Sequence, residues 1–260
     1  MTDIYSSALQ NVVNIRDGVA HVNASGLHYR NLNKMLRSLG NPERLIRVEN
    51  VYGQRYIGTD LSHEVELHVY GTPGNDLAAF LDGSTVVVHG NAQDGVGNTM
   101  NNGTVIVHGR AGDIVGHSMR GGEIYVRDDV GYRCGIHMKE YESQRPTIVV
   151  GGTAQDYLGE YMAGGTLIVL GLTLGPSPIH TAKFIGTGMH GGVIYIRGKV
   201  QHLDREVEAR PPNESDFNKF ESSVKTFCNY FNIPPEPILN TEFTKLAPAS
   251  NRPYGKLYTY

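Results

Sequence analysis

Apolar triplets such as Val105-Ile106-Val107 and Ile194-Tyr195-Ile196 recur through the middle of the chain, set apart by glycine-rich turns. Runs this short, with polar punctuation, predict strands rather than helices. Ahead of them the pattern predicts a strand at Val19–Val22. A short helix follows, with Leu27, Leu32, Met35, Leu36 and Leu39 on one face and Gly40 as its stop. Strands near Leu45–Val51 and Glu64–Tyr70 come next. Past Gly198 the triplets cease. Ala209-Arg-Pro-Pro leads into a second helix, with Asn213 as N-cap and Phe217, Phe220, Val224, Phe227 and Phe231 on one stripe. That stripe predicts a face docked on one end or flank of the strands. The tail after it reads as extended, either offered to a partner or wrapped on its own domain.

Self-alignment gives the period. The unit Gly90–His108 is followed directly by Gly109–Arg127, an offset of 19 residues. Carried onward, one position is Met100, Met119, Met138, Met162 and Met189, five of the seven methionines in the chain. Three residues earlier stand Gly97, Gly116, Gly135, Gly159 and Gly186. The position before each glycine is apolar: Val96, Val115, Cys134, Leu158 and Ile185. The later steps are longer, which places insertions near Glu140–Pro146 and Leu172–His180.

A unit of this length cannot bury its apolar side alone, but stacked units can. Parallel pairing at about 4.8 Å sets equivalent residues over one another, and glycine at a corner allows positive φ and close approach. The fold class that follows is mainly β, a right-handed parallel β-helix, with a short N-terminal helix and a C-terminal helical extension. The expected organisation is an N-terminal strand and helix segment capping the stack (1–66), the β-helix (67–198) and a C-terminal helix and tail (199–260).

Composition narrows the function classes. Glycine supplies 32 of 260 residues, yet without the every-third spacing of collagen. The formal charge of -3 and the lack of a long basic block argue against nucleic acid. No run nears the length of a membrane span, and the N-terminus has no signal pattern, so a cytoplasmic protein is the default. Two cysteines, Cys134 and Cys228, are too few for a disulfide scaffold or a four-thiolate cluster.

Candidate chemistry mostly dissolves into the repeat. Gly186-Thr-Gly-Met-His-Gly191 matches a dinucleotide fingerprint, but it leads into a strand where that motif needs a helix. Ser118 lacks the second glycine of a nucleophile elbow, since Arg120 stands there. His89 and His108 share a column with Tyr70 and Arg127, and two imidazoles do not complete a metal site. Asp94, Asp113 and Asp156 share another column, where they are expected to satisfy turn amides. The methionines read as packing and Cys134 as a buried thiol. No catalytic, cofactor or metal residue is assigned. A site of the chain's own would lie where the period breaks, in the insertion loops, with His137, His180 and His190 as candidates.

The segments G-N-A-Q-D-G-V-G-N-T-M-N-N-G, G-D-I-V-G-H-S-M-R-G-G and L-G-E-Y-M-A-G-G-T-L-I-V-L-G resemble the glycine-rich (GXGXG) repeat domain of the glutamate synthase large subunit. The resemblance covers about Leu67 to Gly198. It implies a right-handed β-helix without catalytic residues, bracing glutaminase and flavin-bearing synthase parts between which ammonia passes. Related repeats occur in the β-helix subunit of formylmethanofuran dehydrogenase, a molybdenum or tungsten enzyme. The chain begins Met-Thr-Asp, so it lacks the glutaminase's N-terminal cysteine nucleophile, and two dispersed cysteines cannot hold the synthase's cluster. What the resemblance implies is therefore a separate, non-catalytic subunit for glutamate biosynthesis and ammonia assimilation. FMN and the iron–sulfur cluster would sit in partner subunits and no cofactor on this chain. The alternatives are the β-helix subunit of a formylmethanofuran dehydrogenase-type enzyme and a stand-alone enzyme with a site in the insertion loops. Self-association into a homo-oligomer stays open at this level.

Overall fold

The computed structural model describes residues 12–39, 45–61 and 64–249. Over them the chain winds as a right-handed parallel β-helix. A hairpin of β1 (Val13–Arg16) and β2 (Val19–Asn23) comes first. From β2 a parallel ladder runs through β3 (Leu45–Tyr52), β4 (Glu66–Thr72), β5 (Thr85–Val88), β6 (Thr104–Val107), β7 (Glu123–Val126), β8 (Thr147–Val150) and β9 (Ala163–Val169). Helix α1 (Tyr29–Leu39) fills the connection from β2 to β3 and buries Leu32, Asn33 and Leu36. Leu27 precedes the helix instead of sharing its face, though it packs against the same core. Gly40 lies outside the described residues. The ladder thus begins well before the 19-residue period. Its first turns carry connections of unequal length, so no fixed offset aligns them.

Register explains why a four-residue strand suffices. Leu67, Val86, Val105, Ile124 and Ile148 pair in succession from β4 to β8, as do Val69, Val88, Val107, Val126 and Val150. All ten are fully buried. The residue between each pair points outward, following the strand period of two.

The two insertions leave the ladder intact. In the first, Tyr141 and Gln144 bridge and Arg145 pairs with Glu140. The second holds a 3-10 turn at Leu172–Leu174 and β10 (Ile179–His180), which pairs with β12 (Lys199–Val200). The last coil ends in β11 (Gly191–Arg197), parallel to β9. The chain then reverses through β13 (Val207–Arg210), α2 (Glu214–Phe231), α3 (Glu236–Leu239) and β14 (Phe243–Pro248). β14 lies antiparallel between β11 and β13, so this part of the tail wraps its own domain. Residues 250–260 lie outside the described residues.

Helix α2 docks on the flank of the stack. Asn213 caps it with both bonds of a capping box to Asp216. Its Phe220, Val224, Phe227 and Cys228 form a second apolar cluster with Tyr125, Val149, Ile168 and Tyr195, the outward residues of β7, β8, β9 and β11. The outside of the coil is therefore not polar throughout. At Gly151 a Cβ would overlap the ring of Phe227, so glycine there admits the helix.

The start of α2 is pinned by a buried trio. Asp216 pairs with Lys245 of β14 and accepts from the Tyr195 hydroxyl at 3.1 Å. Burial pushes the Asp216 carboxyl up, but the bonds from Lys245, Asn213 and Tyr195 outweigh it and hold it below its ordinary value. A depressed carboxyl contributes stability above its unfolded pKa and loses it as pH falls through the folded one. Asp216→Asn should therefore cost about 2–3 kcal/mol at neutral pH, from the stranded Lys245 ammonium. The deficit should shrink as pH falls below about 3.9, where the unfolded carboxyl protonates, and on through the lower folded value. Urea midpoints of both proteins at pH 7 and pH 3 would check this, and a pH-independent difference would count against it.

Candidate functional site

Three groups of polar residues stand out from the packing: a column of aspartates, a column of histidines and the insertion loops. All rest on the corner geometry. In each repeat three alternating residues take positive φ, as in Ile114 (53), Gly116 (67) and Ser118 (53). Alternation sends the first and third side chains outward and leaves the middle one facing in. A Cβ on Gly116 would overlap Ile148 Cδ1, from the strand two coils on. Ser118, the elbow-like serine, is thus a corner residue whose amide donates to the Ile136 carbonyl. Methionine fills the space beside the corner. Met100, Met119, Met138, Met162 and Met189 are fully buried, and the tips of Met100 and Met162 occupy the place a Cβ would take on Gly122 and Gly192.

The aspartates bind coil to coil. Asp94 accepts from the amide of Asp113 at 2.9 Å, Asp113 from Tyr132 at 2.8 Å and Asp156 from Lys183 at 2.8 Å. Asp129 accepts in the same way from Thr153 at 2.8 Å. One carboxylate oxygen of each is thus spent on a neighbouring turn, as expected for residues of this type.

The histidine column is longer than its repeat suggests. Tyr70, His89 and His108 stack with ring centroids 4.3 and 5.5 Å apart. His68 joins from the outward centre of β4: its Nδ1 lies 2.8 Å from His89 Nε2, and its Nε2 lies 2.7 Å from Glu66 Oε1. Burial pushes His89 below its ordinary range, and the nearby His68, His108 and Arg47 add to this. His108 is lowered by burial and then by Arg127 and His68. The signal for His68 lay in the alternation of E-L-H-V-Y, which aligns it with Val87, but the period was too weak there to show it.

The loop candidates each have their own neighbours. His180 is buried, with Nε2 3.1 Å from the Arg197 carbonyl; burial holds it low despite that bond. It borders a cavity of ≈ 120 Å³ with Asp156, Gln155 and Thr181. His137 stacks on Tyr161 at 5.3 Å, and His190 Nδ1 lies 3.2 Å from the Gly188 carbonyl. No hydrogen bond or ring contact joins the three. Sequence reasoning missed Arg197. Its buried guanidinium donates to the carbonyls of Leu170, Gly171 and Gly175 and so ties the second insertion to the coil. Among the described residues, no three His, Cys, Asp or Glu are grouped to share a metal ion.

Gly186–Gly191 runs straight into β11, not into a helix, so its glycines serve the corner. The cysteines sit in separate clusters, Cys134 inside the coil and Cys228 under α2. This pair does not fit a thiolate-held cluster, which takes four cysteines. Burial pushes the Cys134 thiol up to about 12 and that of Cys228 up to about 11. In the native protein at pH 8, neither should react with a thiol-directed disulfide reagent within minutes, whereas both should after denaturation. Rapid native labelling of Cys134 would contradict its placement. No helix among the described residues is long and apolar enough to cross a membrane.

An uncharacterized protein from Methanocaldococcus jannaschii is 44% identical over 249 residues, which covers 92% of this chain and 95% of that protein. Among solved structures, this fold is similar to a chain of the formyltransferase/hydrolase complex (FhcABCD) from Methylorubrum extorquens in complex with methylofuran. The TM-score is 0.60 at 19% identity, over 76% of this chain and 71% of that one. The family described as the GXGXG motif matches residues 31–249, a span that begins within α1 and runs from β3 through β14. By that match, the chain belongs to the GXGXG motif family.

Proposed function

We propose that the chain is a non-catalytic scaffold subunit of a multi-subunit enzyme, of the formyl-handling kind to which its structural neighbour belongs. The likeness to a chain of the FhcABCD complex carries this reading. The residues agree with it. The repeated aspartates and Arg197 of β11 spend their hydrogen bonds holding the coil and its second insertion together. In this role the chain is the β-helix subunit of a formylmethanofuran-type complex, and the formyl chemistry, with any molybdenum or tungsten, belongs to its partners.

A second reading rests on the repeat unit G-D-I-V-G-H-S-M-R-G-G, which resembles that of glutamate synthase. There the chain would brace glutaminase and synthase partners that hold FMN and an iron–sulfur cluster. Purification of the chain at native level, with mass spectrometry and a visible spectrum, separates the two. Formyltransferase or hydrolase partners, with or without molybdopterin, support the first. A glutaminase with a flavin and iron–sulfur spectrum supports the second. A chain that purifies alone, or that catalyses a reaction alone, would overturn both.

A further inference from the structure

We infer that the open half of the outer sheet face, along Arg47, His68, His89 and His108, docks an acidic segment of a partner polypeptide. This deepens the scaffold reading and rests on it only in requiring a partner.

Helix α2 covers the outer face from β11 to β6 and stops where Phe231 meets the edge of His108 at 5.2 Å. Over β3 to β5 no helix follows among the described residues; the outward positions of these strands are Arg47, His68 and the buried Val87, and His89 stands just past β5. Arg47 is in register with His68, His68 Nδ1 lies 2.8 Å from His89 Nε2, and His89 stacks on His108 at 5.5 Å, so the basic groups form one run across two neighbouring columns. Of the anions beside them, Glu66 holds His68 and Asp128 holds Arg127, while Glu49 of β3 is exposed. Among the described residues, Arg47, His89 and His108 have no carboxylate partner, and the buried Nε of Arg47 has no acceptor. Basic groups face one another along the row, and burial and that crowding together lower His89 and His108.

The missing element is negative charge delivered from outside. An extended acidic segment places like-facing carboxylates about 6.6–7 Å apart, a spacing that reaches successive rungs of such a row. A nucleic acid suits the face less well. Glu49 and Glu66 are exposed beside the row, and the chain as a whole carries -3. Carboxylates brought against His89 and His108 raise their pKa values, so docking takes up protons. Affinity then rises as pH falls from the raised pKa values of the docked imidazoles toward the lower ones of the free face.

The test uses the full chain and a fluorescent oligo-glutamate of about twenty residues, followed by anisotropy at pH 5.5 and pH 7.5. Binding should be at least tenfold tighter at pH 5.5, since each proton taken up contributes up to tenfold per pH unit. His89→Gln/His108→Gln should weaken binding at pH 5.5 at least tenfold and flatten the pH dependence. Lys225→Gln, on the exposed side of α2, should do neither. Equal affinity at the two pH values, no effect of the double variant, or preferred binding of a single-stranded RNA of the same length would each overturn the inference. Thermal melts of the variants separate a lost surface from a lost fold. A complex that copurifies unchanged with the double variant at pH 5.5 would also reject the docking face while leaving the scaffold reading standing.

Discussion

Gly116→Ala is expected to cost about 3–4 kcal/mol, far more than one methyl group usually does. Two terms add. An alanine at φ +67 costs about 1–2 kcal/mol from its own backbone. Its Cβ also overlaps Ile148 Cδ1 in a core with no room to yield, and overpacking of this kind costs typically 1–3 kcal/mol. Gly18→Ala isolates the first term, because Gly18 has φ +74 but nothing within 4 Å of a Cβ. The second term has a built-in rescue. At Gly58 the facing residue is Val86, whose Cγ2 would lie 3.2 Å from a Cβ. The next corner carries Ala78 at φ +56, and by register it faces Val105. Where valine faces the corner, alanine is tolerated. Gly116→Ala/Ile148→Val should therefore lose less than the sum of its two single changes, by about 1 kcal/mol or more. Denaturation midpoints of the four proteins would measure this. Additive losses, or equal losses for Gly116→Ala and Gly18→Ala, would dispose of the steric argument.

Phe227→Ala should cost about 3–5 kcal/mol, the usual range for a fully buried phenylalanine. The loss should fall on the helix before it reaches the coil. The Phe227 ring fills the space over Gly151 and touches Phe231, and it shares the outer cluster with Tyr125 and Val149. The inner cluster, on the other side of the same strands, has no contact with it to lose. Native-state hydrogen exchange should show amides of 214–231 losing protection while those of β6 to β8 keep theirs. Equal loss in helix and strands would mean that the two clusters open as one.

Much of this arrangement was legible in the sequence because a stacked coil writes its geometry as columns. Met119, Gly116 and Val115 repeat since each faces its own copy one turn away, and the aspartates repeat because each meets the same amide. The Asn213 N-cap of α2 and its aromatic stripe were equally local. The rest was hidden where contacts join unlike elements. Nothing in one column shows that Val149, Ile168 and Tyr195 face outward under a helix that comes later in the chain. Gly151 was the available clue: a glycine in the column of His89, His108 and Arg127, where a side chain would block something. The corner residues were invisible for a different reason. Ile114, His137 and Tyr161 hold positive φ without being glycine, because the turns on both sides fix them there. Arg197 stands in the column of His108 and Arg127, but nothing in that column shows the insertion carbonyls it meets, and His68 shares its column with no like residue.

Helix α2 also limits how such a chain can grow. From Asp216 to Phe231 it rises about 22 Å at about 1.5 Å per residue, and the four steps from β6 to β11 span about 19 Å at about 4.8 Å each. The helix is thus a ruler matched to a set number of coils, anchored by Tyr195 at one end and by His108 at the other. A coil gained or lost beneath it would leave aromatic side chains beyond the edge of their platform or strand rows bare. Duplication or deletion of repeats is tolerable only toward β2 to β5, where no ruler lies. Length variation among related chains should therefore gather at the amino-terminal end of the stack, with the covered coils fixed in number.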